Sequence, residues 1–182
     1  MAKVGIVVGS LRKDSFSKMI ANNVAKMFPD GWTAEMVEIG NLPLYNQDYD
    51  ENSPAEYTAF RSKVKEFDAV LFVTPEYNRS IPGVLKNALD VASRPWGQNV
   101  WAGKPAAIIS QSIGNIGGFG ANHHLRQILT FLDMPILQQP EVYLANSPGL
   151  LDESGRITNQ DTVKFLQSFV DAFVELIKKY QA

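Results

Sequence analysis

Two segments far apart in the chain carry residue types that suit one flat, phosphorylated ligand. The first is Gly9-Ser10-Leu11-Arg12-Lys13-Asp14-Ser15-Phe16-Ser17, directly after an apolar run. The second is Thr74-Pro75-Glu76-Tyr77-Asn78-Arg79-Ser80-Ile81-Pro82-Gly83, directly after another. A phosphate is held by backbone N–H groups, hydroxyls and a cation at a helix N-terminus. Ser10, Arg12, Ser15 and Ser17 provide the hydroxyls and the cation. Pro75 and Pro82 stiffen the second turn, so its backbone can meet the edge of a ring at fixed geometry. Tyr77 adds an aromatic surface and Asn78 a donor–acceptor amide. The pairing points to a flavin mononucleotide site and so to redox chemistry. Plainer roles stand beside it: Ser15 or Ser17 as a helix cap, Arg12 as a solvated charge, Ser80 as the cap of the next helix. Glu76 reads as a surface carboxylate or a group that orients a neighbouring turn, rather than as a catalytic acid.

A third segment, Ser110-Gln111-Ser112-Ile113-Gly114-Asn115-Ile116-Gly117-Gly118-Phe119-Gly120, is the most glycine-dense stretch of the chain. Its glycines would let backbone approach a flat ligand closely; a flexible connection is the plain alternative. His123 and His124 are adjacent on a helical pattern and point to different faces, so no metal site is expected. Trp96 and Trp101 wall the site, pack a subunit partner or close the edge of the core.

These loops must be positioned by what lies between them. Apolar runs of strand length occur at Val4–Val8, Thr33–Ile39, Ala69–Thr74, Pro105–Ser110 and, interrupted near Pro140, Ile136–Leu144. Helical periods alternate with them over Ser17–Phe28, Pro54–Phe67, Gly83–Ser93, Gly120–Leu132 and Thr158–Tyr180. Alternating strands and helices imply an α/β fold with a parallel sheet covered on both faces. The expected architecture is a flavodoxin-like three-layer sandwich, a five-stranded parallel sheet of order 2-1-3-4-5. In that order the loops after strands one, three and four are neighbours at the carboxyl edge, and those are the three unusual segments.

The 182 residues fit one domain, with no internal repeat or linker. A net charge of −2 gives no broad basic field, so nucleic acid is not an expected partner. The absence of cysteine rules out disulfides and thiolate nucleophiles and permits a reducing compartment. The N-terminal residues read as an opening strand rather than a signal peptide, no run reaches membrane-spanning length, and a cytoplasmic location is expected. Other uses of this architecture fail on particular residues. A receiver domain needs aspartates where Gly9-Ser10 and Thr74-Pro75 stand, a low-molecular-weight tyrosine phosphatase needs a cysteine, and a serine hydrolase needs a G-x-S-x-G elbow.

Gly9-Ser10-Leu11-Arg12-x-x-Ser15-Phe16-Ser17, Pro75-Glu76-Tyr77-Asn78-x-Ser80-x-Pro82-Gly83-x-Leu85-Lys86-Asn87-Ala88-Leu89-Asp90 and the glycine segment leading to His124-Leu125-Arg126 resemble the NADPH-dependent FMN reductases. Within them the chain is most similar to the bacterial chromate/quinone reductase and azoreductase branch. The resemblance implies FMN, NADPH or NADH as co-substrate, a homodimer or tetramer with the flavin near the subunit interface, and quinones, azo compounds or other small electron acceptors. Carried over by position, Ser10, Arg12, Ser15 and Ser17 bind the FMN phosphate. Pro75, Glu76, Tyr77 and Asn78 line the isoalloxazine, largely by backbone. Ser110, Ser112, Gly114 and Gly117 flank its other edge. No side chain is expected to be catalytic, because the flavin carries the chemistry. Two positions depart from the pattern: Val91 follows Asp90 where an aromatic is usual, and Phe119 follows the paired glycines where a basic residue is common. The rival reading is an electron carrier of the flavodoxin type. Such carriers bear a strongly acidic surface, whereas this chain is near neutral with Arg12 and Lys13 beside the site.

Overall fold

The five apolar runs do form strands: β1 (Lys3–Val8), β2 (Thr33–Val37), β3 (Ala69–Pro75), β4 (Ala106–Gln111) and β5 (Val142–Leu144). Five helices alternate with them: α1 (Phe16–Ala25), α2 (Ala55–Lys65), α3 (Gly83–Ala92), α4 (Phe119–Phe131) and α5 (Gln160–Gln181). These elements come from a computed structural model, which describes residues 1–181. The strands pair in parallel in the order β2-β1-β3-β4-β5, the flavodoxin-like order expected.

The inner strands are buried on both faces, which explains their continuous apolar sequences. Side chains of a strand alternate between faces. Val70 and Phe72 of β3 therefore pack with Phe60 and Val64 of α2, Leu85 and Leu89 of α3, and Leu125 and Leu129 of α4. Leu71 and Val73 face the other way, onto Ile20 and Val24 of α1 and Leu166, Phe169, Val170 and Phe173 of α5. Each large apolar side chain so buried contributes about 1.5–3 kcal/mol.

Two local differences from expectation have clear causes. β5 is short because Pro140 has no N–H to give to the ladder. Ile136 makes only an isolated bridge to Ala106, and regular pairing begins at Val142. Ser80 does not cap α3; Pro82 occupies the cap position without a side-chain hydrogen bond. Trp101 proves to be core: it is fully buried, meets Phe60 edge-on and donates its indole N–H to the Leu89 carbonyl at 3.1 Å. Trp96 instead stands exposed beyond the C-terminal end of α3, at the amino edge of the sheet. Among the described residues no helix is long and apolar enough to cross a membrane.

Candidate functional site

The turn after β1 is built around Ser15. Its Oγ accepts the backbone N–H of Lys18 at 3.2 Å and caps α1, an interaction worth about 1 kcal/mol. The backbone N–H groups from Lys13 to Ser17 meet no protein acceptor among the described residues. They gather at the positive end of α1, where an anion is stabilised. Arg12 is exposed, lies 5.3 Å over the Phe16 ring and has no carboxylate partner among the described residues. Ser10 Oγ accepts the Arg12 N–H at a long 3.4 Å. Ser17 lies beneath this rim with no exposed surface, and its Oγ accepts Gln111 Nε2–H at 2.9 Å.

The turn after β3 owes its stiffness to more than its prolines. Tyr77 and Ser80 exchange two backbone hydrogen bonds, at 2.9 and 3.0 Å. Asn78 (φ 51°) and Arg79 (φ 65°) are both left-handed, as a two-residue hairpin turn requires. Asn takes this conformation readily; Arg does not, so the turn stores strain that its surroundings hold in place. Glu76 is one such restraint. Its Oε2 accepts the backbone N–H of Ala121 in the first turn of α4 at 3.1 Å, and its Oε1 accepts Arg79 Nη1–H at 3.2 Å. Glu76 therefore orients a turn, as the sequence allows, and ties the loop after β3 to the helix after β4. Ser80 Oγ adds a second tie, 2.9 Å from His124 Nδ1.

The glycine segment is shaped by close packing. Gly117 is left-handed at φ 62°, and a Cβ there would lie 2.6 Å from the Tyr143 carbonyl carbon. Ser110 is buried and donates its hydroxyl to the Gly117 carbonyl at 2.9 Å. Asn122 Nδ2 donates to Ser110 Oγ at 3.2 Å. Gly114 faces open space, and its carbonyl accepts the Ser112 hydroxyl at 3.1 Å. Beyond the paired glycines, Phe119 packs on His123 with ring centroids 4.2 Å apart and on Tyr143 at 5.3 Å. Burial, with help from the Glu141 carboxylate, pushes the Tyr143 phenol up to about 12.

Together the three loops enclose an open cleft of about 190 Å³. Of the residues expected from sequence, Ser10, Arg12, Ser15, Pro75, Glu76, Tyr77 and Ser112 line it. Ser17, Asn78, Ser110, Gly114 and Gly117 lie in the same loops without lining that cleft. Phe16, Gln111 and Ile113 line it and were not singled out. Gln111 is the last residue of β4, so its place at the carboxyl edge was readable from the strand order. Ser10 and Arg12 also border a second cleft of about 280 Å³, which runs toward Lys18 and Glu38 at the end of β2. Uncommitted N–H donors, hydroxyls and an unpaired guanidinium at one end of the first cleft, with a rigid hairpin and half-exposed Tyr77 at the other, fit a planar group that carries a phosphate.

Known proteins resemble this chain in sequence and in fold. Residues 2–149 match the family model described as NADPH-dependent FMN reductase. A quinone reductase of Pseudomonas putida is 52% identical over 180 residues, 98% of this chain and 96% of that protein. A 2-hydroxy-1,4-benzoquinone reductase of Burkholderia sp. is 49% identical over 176 residues, covering 97% and 96%. The solved structure of FerB, a flavoenzyme NAD(P)H:(acceptor) oxidoreductase from Paracoccus denitrificans, superimposes with a TM-score of 0.92 at 40% identity and 99% coverage of both chains. Matching the family model over residues 2–149 and its relatives in fold and in sequence along nearly its whole length, the chain belongs to the NADPH-dependent FMN reductase family.

Proposed function

We propose that this protein is an FMN-dependent NAD(P)H oxidoreductase that passes electrons to quinones, azo compounds or other small acceptors. One observation carries the reading: the loops after β1, β3 and β4 close on a single cleft while the N–H groups from Lys13 to Ser17 remain without acceptors among the described residues. The names of the quinone-reducing relatives support the acceptor class. Ser10, Arg12 and Ser15 hold the phosphate at the rim, with Ser17 beneath them. Pro75, Glu76, Tyr77 and Asn78 present one edge to the isoalloxazine, largely through a backbone that the hairpin keeps rigid. Ser112 and Gly114 flank the other edge, while Ser110 and Gly117 keep that loop in shape.

Bound there, FMN supplies two-electron transfer between the nicotinamide and the acceptor. The chain's own contribution is placement: a phosphate anchor, a stiff wall and an open side for a second flat molecule to stack. No side chain need act as a nucleophile.

We read residues 1–182 as a single cytoplasmic domain that works as a homodimer or tetramer on small molecules, without nucleic acid or membrane. The absence of cysteine suits a reducing compartment. Two apolar surfaces support self-association. Leu11, Tyr77, Ile113 and Ile116 are exposed around the cleft. Trp96 and Phe131, 84% and 83% exposed, border a groove of about 530 Å³ at the opposite edge of the sheet.

The test is the purified protein's absorption spectrum followed by turnover. A flavin spectrum, restored to the apo-protein by FMN in preference to FAD, and NADPH-driven quinone reduction are expected. No flavin uptake, or a clear preference for FAD, overturns the reading.

A further inference from the structure

The second cleft, of about 280 Å³, adjoins the flavin cleft across Ser10 and Arg12, and the reading above leaves it without a ligand. Val8 at the end of β1 and Met36 and Val37 at the end of β2 line it, so it opens at the carboxyl edge of two paired strands. Leu11, more than half exposed, gives it an apolar side. Lys18 of α1 and Glu38, the first residue after β2, give it opposite charges. Both are exposed, and among the described residues neither the Lys18 ammonium nor Glu38 Oε2 has a protein partner.

Gly40 shapes this cleft. A Cβ there would lie 2.8 Å from Glu38 Oε1 and 2.9 Å from Leu11 Cδ2. Without a side chain, Gly40 lets the turn after β2 close on Leu11, and its N–H donates to Glu38 Oε1 at 2.6 Å. One carboxylate oxygen is thereby fixed and the other is left free.

These groups match the parts of a nucleotide. An apolar side suits a base, a carboxylate accepts from ribose hydroxyls, and a lysine takes a phosphate as a point charge. Their place matches too. Ligands of open parallel sheets bind outside the carboxyl ends of the strands, and in dinucleotide folds an acidic residue beyond the first helix takes an adenosine ribose hydroxyl. Glu38 ends the strand that follows α1.

We propose that the second cleft is the subsite for the adenylate half of the nicotinamide co-substrate, with Glu38 accepting from the adenosine ribose and Lys18 pairing with a phosphate. The inference rests on the flavin reading above and deepens it. A dinucleotide with its nicotinamide in the first cleft crosses Ser10 and Arg12 to bring its other end into the second. The Glu38 charge repels the 2′-phosphate that distinguishes NADPH from NADH, so it biases the site toward NADH without excluding NADPH.

The experiment titrates FMN-loaded protein by calorimetry with ADP-ribose, which lacks the nicotinamide, and with its 2′-phosphate. Both are expected to bind. Lys18→Ala is expected to weaken both at least about fivefold, the scale of one charge-assisted contact. Glu38→Gln keeps an acceptor for the Gly40 N–H and is expected to shift the ratio of the two affinities toward the 2′-phosphate at least about fivefold. The KM values for NADPH and NADH should move in step with these affinities, and FMN uptake by either apo-variant should change less than about twofold. If ADP-ribose does not bind, or if both variants bind the two probes as the wild type does, the inference is overturned while the flavin reading stands. It is overturned equally if FMN uptake falls in parallel, which assigns the cleft to the flavin itself. Weakened FAD uptake by apo Lys18→Ala with unchanged ADP-ribose binding also overturns it, by giving the adenylate seat to FAD. If the wild-type protein takes up no FMN, the flavin reading fails and this inference with it.

Discussion

Glu76 accepts the backbone N–H of Ala121, 45 residues away, at 3.1 Å. One carboxylate thereby caps α4 and fixes the hairpin that walls the cleft. Removing it should loosen both. Glu76→Ala is expected to cost about 1–2 kcal/mol of stability, the scale of a lost cap and a charge-assisted hydrogen bond. Glu76→Gln keeps an acceptor oxygen and should cost clearly less. Urea unfolding of the two variants checks this, and equal losses would remove the capping role.

Gly120 lies in the same first turn of α4. Alanine usually stabilises a helix relative to glycine by about 1 kcal/mol. Here a Cβ would lie 2.9 Å from the Arg79 carbonyl oxygen and 3.0 Å from Glu76 Oε2. Gly120→Ala should therefore destabilise, by about 1–3 kcal/mol, and displace the hairpin. FMN and riboflavin affinity should fall together, because the wall meets the ring and not the phosphate. Gly114→Ala, with nothing within 4 Å of its Cβ, should change stability by less than about 0.5 kcal/mol.

Arg12 is exposed and has no carboxylate partner among the described residues. Arg12→Ala should leave thermal unfolding of the apo-protein unchanged and weaken FMN binding by about 1.5–3 kcal/mol. Titration of the apo-protein measures the loss. Unaltered affinity would assign Arg12 to solvent or to the nicotinamide phosphates.

Alkaline titration should reveal two tyrosines that ionise late. Burial raises Tyr57, whose hydroxyl donates to the Leu44 carbonyl at 2.7 Å, and burial raises Tyr143 to about 12. An unfolded tyrosine ionises near about 10. Between those values the folded state holds more protons than the unfolded one, so stability is complete below pH 10 and declines as pH rises toward 12. Tyrosinate absorbance against pH should show a late phase belonging to Tyr57 and Tyr143. Tyr143→Phe should remove part of the late phase and flatten the alkaline loss of stability.

Self-association can be tested at either apolar surface. Light scattering at micromolar concentration is expected to give a dimer or tetramer. Trp96→Ser with Phe131→Ser should reduce the assembly without disturbing the cleft, which lies at the other edge of the sheet. Monomeric wild-type protein with full quinone turnover would sink the requirement for a partner.

Sequence alone determined the periodic parts of this protein. Runs such as Ala69–Pro75 are apolar on both faces because they are covered on both faces, and five of them alternating with helices leave few sheet orders open. The order then brings the loops after β1, β3 and β4 to one edge, so the region of the candidate site was legible, while Ser15 as the cap in place of Ser17 and Glu76 as an orienting group in place of a surface carboxylate were alternatives that the sequence left open. What each loop residue does inside that region was decided only by tertiary structure. Ser10 and Ser17 are the same residue type in one short segment, yet one stands at the cleft and the other is buried against Gln111. Trp96 and Trp101 differ in the same way, one exposed and one core. The apolar face of α3 is taken up by the core through Leu85, Ala88, Leu89 and Val91. The physical reason is range. Burial periodicity and turn chemistry are local and recur within a few residues, whereas a side chain's exposure and partners depend on contacts such as Gln111 to Ser17, separated by 94 residues, which no local pattern encodes.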